Sequence, residues 1–214
     1  MFLTRVELPL AQRSVQRLLS NPYAMHQWIM SALPHPADRV LFRLEPLTVN
    51  ARVGMILLQT KHEPKWPADG IPSGSRLTTK RIENAFQSLS DGQHLRFRMR
   101  ANPTNKQKRE GKDQGRRCPL IREEDQLKWL MRKGEQCGFQ LLENPTGKIP
   151  ACVIRDEKEI LARKPTSAHP LTFRSVLFEG TLTVTDTEKF RQTLAAGIGS
   201  GKAFGFGLLS VARA

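Results

Sequence analysis

An α+β fold built twice in tandem is predicted by three features of this sequence. Strictly alternating apolar residues open each half, at residues 2 to 8 and 94 to 101. Helical stretches with apolar residues at three- and four-residue spacing follow each of them. The order strand, helix, strand, strand, helix in the first half, most of a split βαβ unit, is taken up again in the second. That is the pattern of a ferredoxin-like domain. The expectation is therefore two ferredoxin-like domains, residues 1–92 and 93–214, and 214 residues suffice for two modest cores.

The elements follow in order. Phe2, Thr4, Val6 and Leu8 share one face of the opening strand, and Leu3, Arg5 and Glu7 the other. A helical stretch runs through Val15, Leu18 and Leu19. Asn21-Pro22 restarts the helix, with Asn suited to the N-cap and Pro to the first helical position. This second helix should reach about Leu33 with Met25, Ile29 and Leu33 buried, before Pro34 and Pro36 end it. Strands are expected over 40–45 and 53–60, then a Pro- and Gly-rich loop over 64–74 and a helix over 81–89. In the second half the spacing predicts a strand over 94–101 and a helix over 123–136 with Leu127, Leu130 and Met131 inward. Strands over 139–142 and 173–184, a helix over 187–196 and a last strand over 203–211 complete it.

Charge narrows the function. Lys and Arg number 34 against 20 Asp and Glu, a net charge of +14, with pI about 10.3. Such an excess suits a polyanionic partner, because each neutralised phosphate releases condensed counterions. Cys118, Cys137 and Cys152 are odd in number and widely spaced, so they form neither a disulfide framework nor paired zinc ligands. Charge breaks the N-terminus too early for a signal peptide, and no apolar run approaches a membrane span. A soluble, cytoplasmic protein is expected, with no membrane partner.

The excess is concentrated. Between residues 96 and 117 stand nine basic residues against two acidic, a net +7 in 22 residues. On the strand, Leu95, Phe97 and Met99 should face inward and Arg96, Arg98 and Arg100 outward. Beyond it, Lys106, Lys108, Arg109, Lys112, Arg116 and Arg117 suit a hairpin or arm laid against nucleic acid. A solvated edge strand would also carry charge, but rarely nine cations.

Tyr23 and His26 lie three apart and so share one helix face, turned from Met25 and Ile29. An imidazole beside a phenol suits acid–base chemistry, although such a pair is also an ordinary surface feature. The run Gly197-Ile-Gly-Ser-Gly-Lys202 has Ala196 where a Walker loop needs its first Gly and Ala203 where it needs Ser or Thr. Gly199, Gly201 and Lys202 then read as a turn bringing bare backbone close to a polymer, or simply as a tight turn. His35, His62, His94 and His169 make no metal-ligand spacing, and no acidic pair suits two magnesium ions. No metal and no cofactor are expected.

Gly197-Ile-Gly-Ser-Gly-Lys-Ala-Phe-Gly-Phe-Gly-Leu-Leu-Ser210, with Arg96-Phe-Arg-Met-Arg-Ala-Asn-Pro103 and Val176-Leu-Phe-Glu-Gly180, resembles the CasE family. These are the CRISPR repeat-processing endoribonucleases of type I-E systems. Cys118-Pro-Leu-Ile121, Trp129-Leu130 and Asn21-Pro22-Tyr23 with His26 fit the same family. The resemblance spans nearly the whole chain and is loosest over 143–172. It implies two ferredoxin-like (RRM-related) domains and a CRISPR repeat hairpin RNA as substrate. It also implies metal-independent cleavage, with other subunits of the type I-E guide-RNA surveillance complex as partners. Carried over residue by residue, it makes His26 and Tyr23 catalytic and suggests Arg163 and Lys164 as the charge-stabilising residues. The basic hairpin would then enter the groove of the RNA stem.

Overall fold

A computed structural model describes residues 1–35, 39–109, 112–144, 150–164 and 169–214. The opening strand β1 (Phe2–Pro9) buries Thr4, Val6 and Leu8, the face its alternation marks. α1 (Arg13–Ser20) buries Val15 and Leu19. α2 (Pro22–Met30) buries Met25 and Ile29. It ends three residues before the expected Leu33, which is partly buried against the same core. β2 (Leu41–Leu44) and β3 (Val53–Thr60) form a hairpin.

After the loop comes a strand that hydrophobic patterning does not predict, β4 (Arg76–Arg81). It pairs with β1 from Phe2 opposite Arg81 to Glu7 opposite Arg76. Four of its six residues are exposed, so its polar character conceals it from hydrophobic patterning. The helix expected over 81–89 shrinks to α3 (Glu83–Gln87). The antiparallel sheet runs β2-β3-β1-β4, the ferredoxin-like order. Between β3 and β4, where that fold usually has a helix, the chain instead folds back on α2. Trp28 and Trp66 stack at 4.9 Å; their ring N–H groups donate to Gly70 O at 2.7 Å and to Trp28 O at 3.2 Å respectively.

The second set is complete. β5 (His94–Ala101), α4 (Glu123–Cys137), β8 (Phe139–Leu141), β10 (Leu171–Val184), α5 (Thr187–Ala196) and β11 (Leu209–Arg213) are its six elements. The sheet runs β11-β5-β10-β8, again the ferredoxin-like order. Two insertions decorate it. β6 (Thr104–Arg109) and β7 (Lys112–Pro119) form an antiparallel hairpin, and β9 (Cys152–Ala162) adds to β10. The strand β9 was unforeseen, since five of its eleven residues carry charge.

Three acidic residues, Glu123 to Asp125, open α4 where the helix dipole favours them, and Gly138 (φ 79°) closes it in the left-handed conformation. Its inward residues are Gln126, Trp129, Leu130 and Gly134. Met131, expected inward, is 45% exposed. Gly134 takes an inward position because a Cβ there would stand 2.6 Å from Phe139 O, which hydrophobicity cannot reveal. The expected last strand, 203–211, begins instead with a one-turn 3-10 helix, Lys202–Phe204, and becomes β11 at Leu209.

By packing, the chain divides into two units. Residues Met1–Ser88, Leu161–Thr172 and Gly201–Leu208 form the first; Leu89–Ile160, Phe173–Ser200 and Leu209–Ala214 form the second. The chain thus crosses between the units more often than the single division expected near residue 92. Val6, Leu8, Met25, Ile29, Phe42, Ile56 and Leu58 build the first core. In the second, the Phe139 and Phe190 rings meet edge to face at 5.8 Å. Burial pushes the Cys152 thiol up to about 12, so it stays protonated at neutral pH. Among the described residues no helix is long and apolar enough to cross a membrane.

Candidate acid–base site and nucleic-acid interface

Asn21 makes two uses of one amide. Its backbone is extended, and its side-chain oxygen accepts from the Tyr23 N–H at 3.2 Å, capping α2 as the sequence suggests. The same oxygen accepts from the Arg163 N–H at 3.2 Å, and its Nδ2 donates to the Arg163 carbonyl at 3.0 Å. The segment after β9 is thereby held on the first turn of α2. Lys164 Nζ then lies 5.8 Å from the centroid of the Tyr23 ring, over its face, an attraction of about 0.5–1 kcal/mol at an exposed site. Tyr23, Arg163 and Lys164 thus gather at one helix start, and His26 stands one turn along.

His26 is half-buried. Its ring stacks on Phe42 of β2 at 6.4 Å with planes 13° apart. Its Nδ1 is buried and has no hydrogen-bond partner among the described residues. Burial lowers its pKa below the ordinary 6.5, since a desolvated imidazole resists charging. It is therefore mostly neutral at pH 7 and holds a lone pair. Phe42 is fixed in turn by the glycine-rich segment. A Cβ on Gly205 would stand 3.1 Å from its Cε2, and the φ of +85° there also favours glycine. The Lys202–Phe204 turn packs on both α2 and β2. Gly201 and Lys202 are therefore near α2, whereas Gly199 belongs to the second unit.

Next to Phe42, Arg43 is 2% exposed. Its Nη2 meets Glu45 at 2.7 Å, and its Nη1 donates to the Leu208 carbonyl at 3.2 Å. This pair ties β2 to the end of the glycine-rich segment.

In the second unit, Arg96 and Arg98 lie on the outward face of β5 as expected. Arg96 Nε donates to Arg213 O at 3.2 Å. Arg98 pairs with Glu179 directly across the sheet, and Arg155 Nε meets the same carboxylate at 3.2 Å. Arg100 is a correction. It is 4% exposed, with Nη2 on Asp156 at 2.6 Å and Nη1 on Ser175 at 2.8 Å. The unforeseen β9 carries Asp156 onto it. Burial alone would raise the Asp156 carboxyl, but hydrogen bonds and charge from Arg100 and Lys158 outweigh it and hold the carboxyl below its usual range. Arg100 is structural.

Lys106 and Arg117 are exposed and stand opposite each other on the β6–β7 hairpin. Lys108, Arg109, Lys112 and Arg116 place their backbones on its strands; their side chains lie outside the described residues. Among the described residues no group of three His, Cys, Asp or Glu side chains could hold a metal ion. Sequence reasoning missed Phe42 and Gly205 beside His26, and read Asn21 only as a cap. The glycine spacing was a signal for Gly205; nothing local marked Phe42.

The family described as CRISPR associated protein matches residues 1–213. The chain is 36% identical to the CRISPR-associated endoribonuclease Cse3 of Thermus thermophilus over 218 residues, spanning 99% of this chain and all of that one. It is 31% identical to the CRISPR system Cascade subunit CasE of Escherichia coli over 201 residues, 89% of this chain and 91% of its relative. The structure of Thermus thermophilus Cse3 bound to an RNA representing a pre-cleavage complex superimposes with a TM-score of 0.85 at 36% identity, over 99% and 98% of the two chains. With the ferredoxin-like order in both sheets and a likeness running from end to end, the chain belongs to the CRISPR associated protein family, in the group that contains Cse3 and CasE.

Proposed function

We propose that this chain is a metal-independent endoribonuclease that cuts the stem-loops of CRISPR repeat RNA in precursor transcripts, releasing guide RNAs. It acts in the cytoplasm as a subunit of a type I-E guide-RNA surveillance complex, a reading supported by its likeness to a Cascade subunit of Escherichia coli. The ribose 2′-hydroxyl attacks the adjacent phosphate, leaving a 2′,3′-cyclic phosphate and a 5′-hydroxyl. The observation that carries this reading is a half-buried His26, stacked on Phe42, one turn from a Tyr23 that Lys164 overlies. A neutral imidazole accepts the proton of the 2′-hydroxyl, and the departing 5′-oxygen takes a proton from water to become the 5′-hydroxyl. Tyr23 orients the reacting groups. Lys164 and Arg163 offset the charge that grows on the phosphorane.

The β6–β7 hairpin serves to grip the stem. An A-form major groove is deep and narrow, so a hairpin enters most easily near the stem's end. Lys106, Lys108, Arg109, Lys112, Arg116 and Arg117 are its cations, Arg96 and Arg98 of β5 add two more, and Gly199, Gly201 and Lys202 add close backbone approach.

Incubating the purified chain with a cognate repeat hairpin in EDTA tests the reading. The expected product carries a 2′,3′-cyclic phosphate and its partner a 5′-hydroxyl. Tight binding without any cut would instead mark a non-catalytic RNA-binding subunit.

The Asn21 bridge gives a second check. Asn21→Ser keeps a cap on α2, because the hydroxyl still accepts from the first turn. It is too short to meet both main-chain groups of Arg163. Single-turnover cleavage at saturating RNA should fall about 10- to 100-fold, the cost of a misplaced catalytic group, with thermal stability little changed. Full activity in Asn21→Ser would remove the bridge from the mechanism.

A further inference from the structure

Among the described residues, four cations line one cleft in the second unit. It measures about 400 Å³ and is bounded by Lys106 and Arg117 of the hairpin, Arg132 and Lys133 of α4, Trp129 and Gly199. Among the described residues that line it, none carries a carboxylate. Lys106 and Arg117 are directly opposed on antiparallel strands, a pairing of like charges that disfavours the hairpin. Arg132 and Lys133 bring two more charges from a separate element. Folding by itself gains nothing from such an arrangement; an anion between these groups relieves it.

The lining also says which part of a nucleotide fits. Trp129 is 4% exposed and stacks on Phe178 at 6.2 Å, so its indole is committed to the core and offers no platform for a base. Gly199 closes on that indole: a Cβ there would stand 3.2 Å from its Cζ2, at φ +78°. Asn105 and Ser200 add neutral hydrogen-bonding groups suited to a ribose hydroxyl. Charge and small polar groups without a stacking surface recognise sugar and phosphate, not base. The volume lies near the lower end of the roughly 300–1,000 Å³ typical of small-ligand sites. That suits a single nucleotide and excludes a duplex.

We propose that this cleft holds the sugar-phosphate of an unpaired nucleotide flanking the RNA stem, and that Arg132 and Lys133 are RNA-binding residues. This rests on the reading of the chain as an RNA-hairpin nuclease and adds a requirement on its substrate: the stem alone is not the whole ligand.

Fluorescence anisotropy with the full chain tests it, using hairpins with and without unpaired flanking nucleotides and a 2′-deoxy sugar at the cut site. The wild-type chain should bind the flanked RNA about 10-fold more tightly than the bare stem-loop. Arg132→Gln with Lys133→Gln should bring that ratio close to one. It should also reduce the salt slope for the flanked RNA by about 0.7, the loss of one single-strand phosphate contact. Lys61→Gln with Lys80→Gln, exposed cations of the first unit, removes the same charge elsewhere and should leave the ratio intact. A wild-type chain without the preference, or a control that loses it equally, overturns the proposal. Cleavage of the bare hairpin in EDTA would leave the nuclease reading standing in either case; failure to bind or cut any hairpin would remove that reading too.

Discussion

His26→Ala should lose about 10² to 10⁴ of the cleavage rate, the usual contribution of a positioned acid–base group, while its affinity for the hairpin stays near that of the wild type. Single-turnover rates at saturating RNA measure the first, and anisotropy with uncleavable RNA the second. A parallel fall in both would remove His26 from the chemistry. The pH dependence sharpens the test. Burial against Phe42 lowers the His26 pKa below 6.5, so the lone pair survives mild acid. For a base, kcat/KM should fall as pH drops through a midpoint below 6.5, because that ratio reports the free enzyme. An acid with the same pKa would instead lose activity as pH rises toward neutrality. NMR titration of His26 in the free protein should give a midpoint below 6.5. Linkage carries the same sign: because the folded-state pKa is the lower one, protonation favours the unfolded chain. The stability His26 contributes is complete above 6.5 and is lost as pH falls toward the folded-state value.

Arg43→Met should destabilise the protein by about 3 kcal/mol, toward the lower end of the cost of breaking a buried pair. Arg43 is fully enclosed, and Glu45 keeps only 11% side-chain exposure. Removing the guanidinium takes from the Glu45 carboxylate the charge it faces and from the Leu208 carbonyl its donor. The double variant Arg43→Met with Glu45→Met should recover most of the loss, since two apolar side chains of similar volume replace such a pair at little cost. Urea unfolding of the three proteins measures both. A single variant as stable as the wild type would mean that the pair contributes nothing. The consequence reaches the site: Arg43 follows Phe42 on β2, and its tether at Leu208 closes the segment that carries Gly205.

Much of this was legible in the residues. Alternation in 2–8 and 94–101 marked the buried faces of β1 and β5, because side chains on a strand change face at every residue. Asn21-Pro22 marked the start of α2, since capping is a contact within one turn. The positions of Tyr23 and His26 on one helix, and the concentration of cations over 96–117, likewise needed only local reading. Their roles came from the family resemblance, not from spacing.

Other features were settled only by closure of the chain. β4 and β9 are polar strands whose existence depends on the neighbour they pair with, β1 and β10. Arg100 continues the outward alternation of Arg96 and Arg98 in sequence, yet it is buried because Asp156 arrives from a strand 56 positions later. Asn21 is a plain N-cap until Arg163, 142 positions away, closes on its amide. Local periodicity states which way a side chain points. Which distant group it meets there, and so whether it is surface charge, structural ion pair or part of a site, is decided by tertiary packing. The sequence by itself therefore determined two ferredoxin-like units and a polyanion partner. Only the structure set Lys164 over Tyr23 and His26 against Phe42, because those contacts join segments that share no local periodicity.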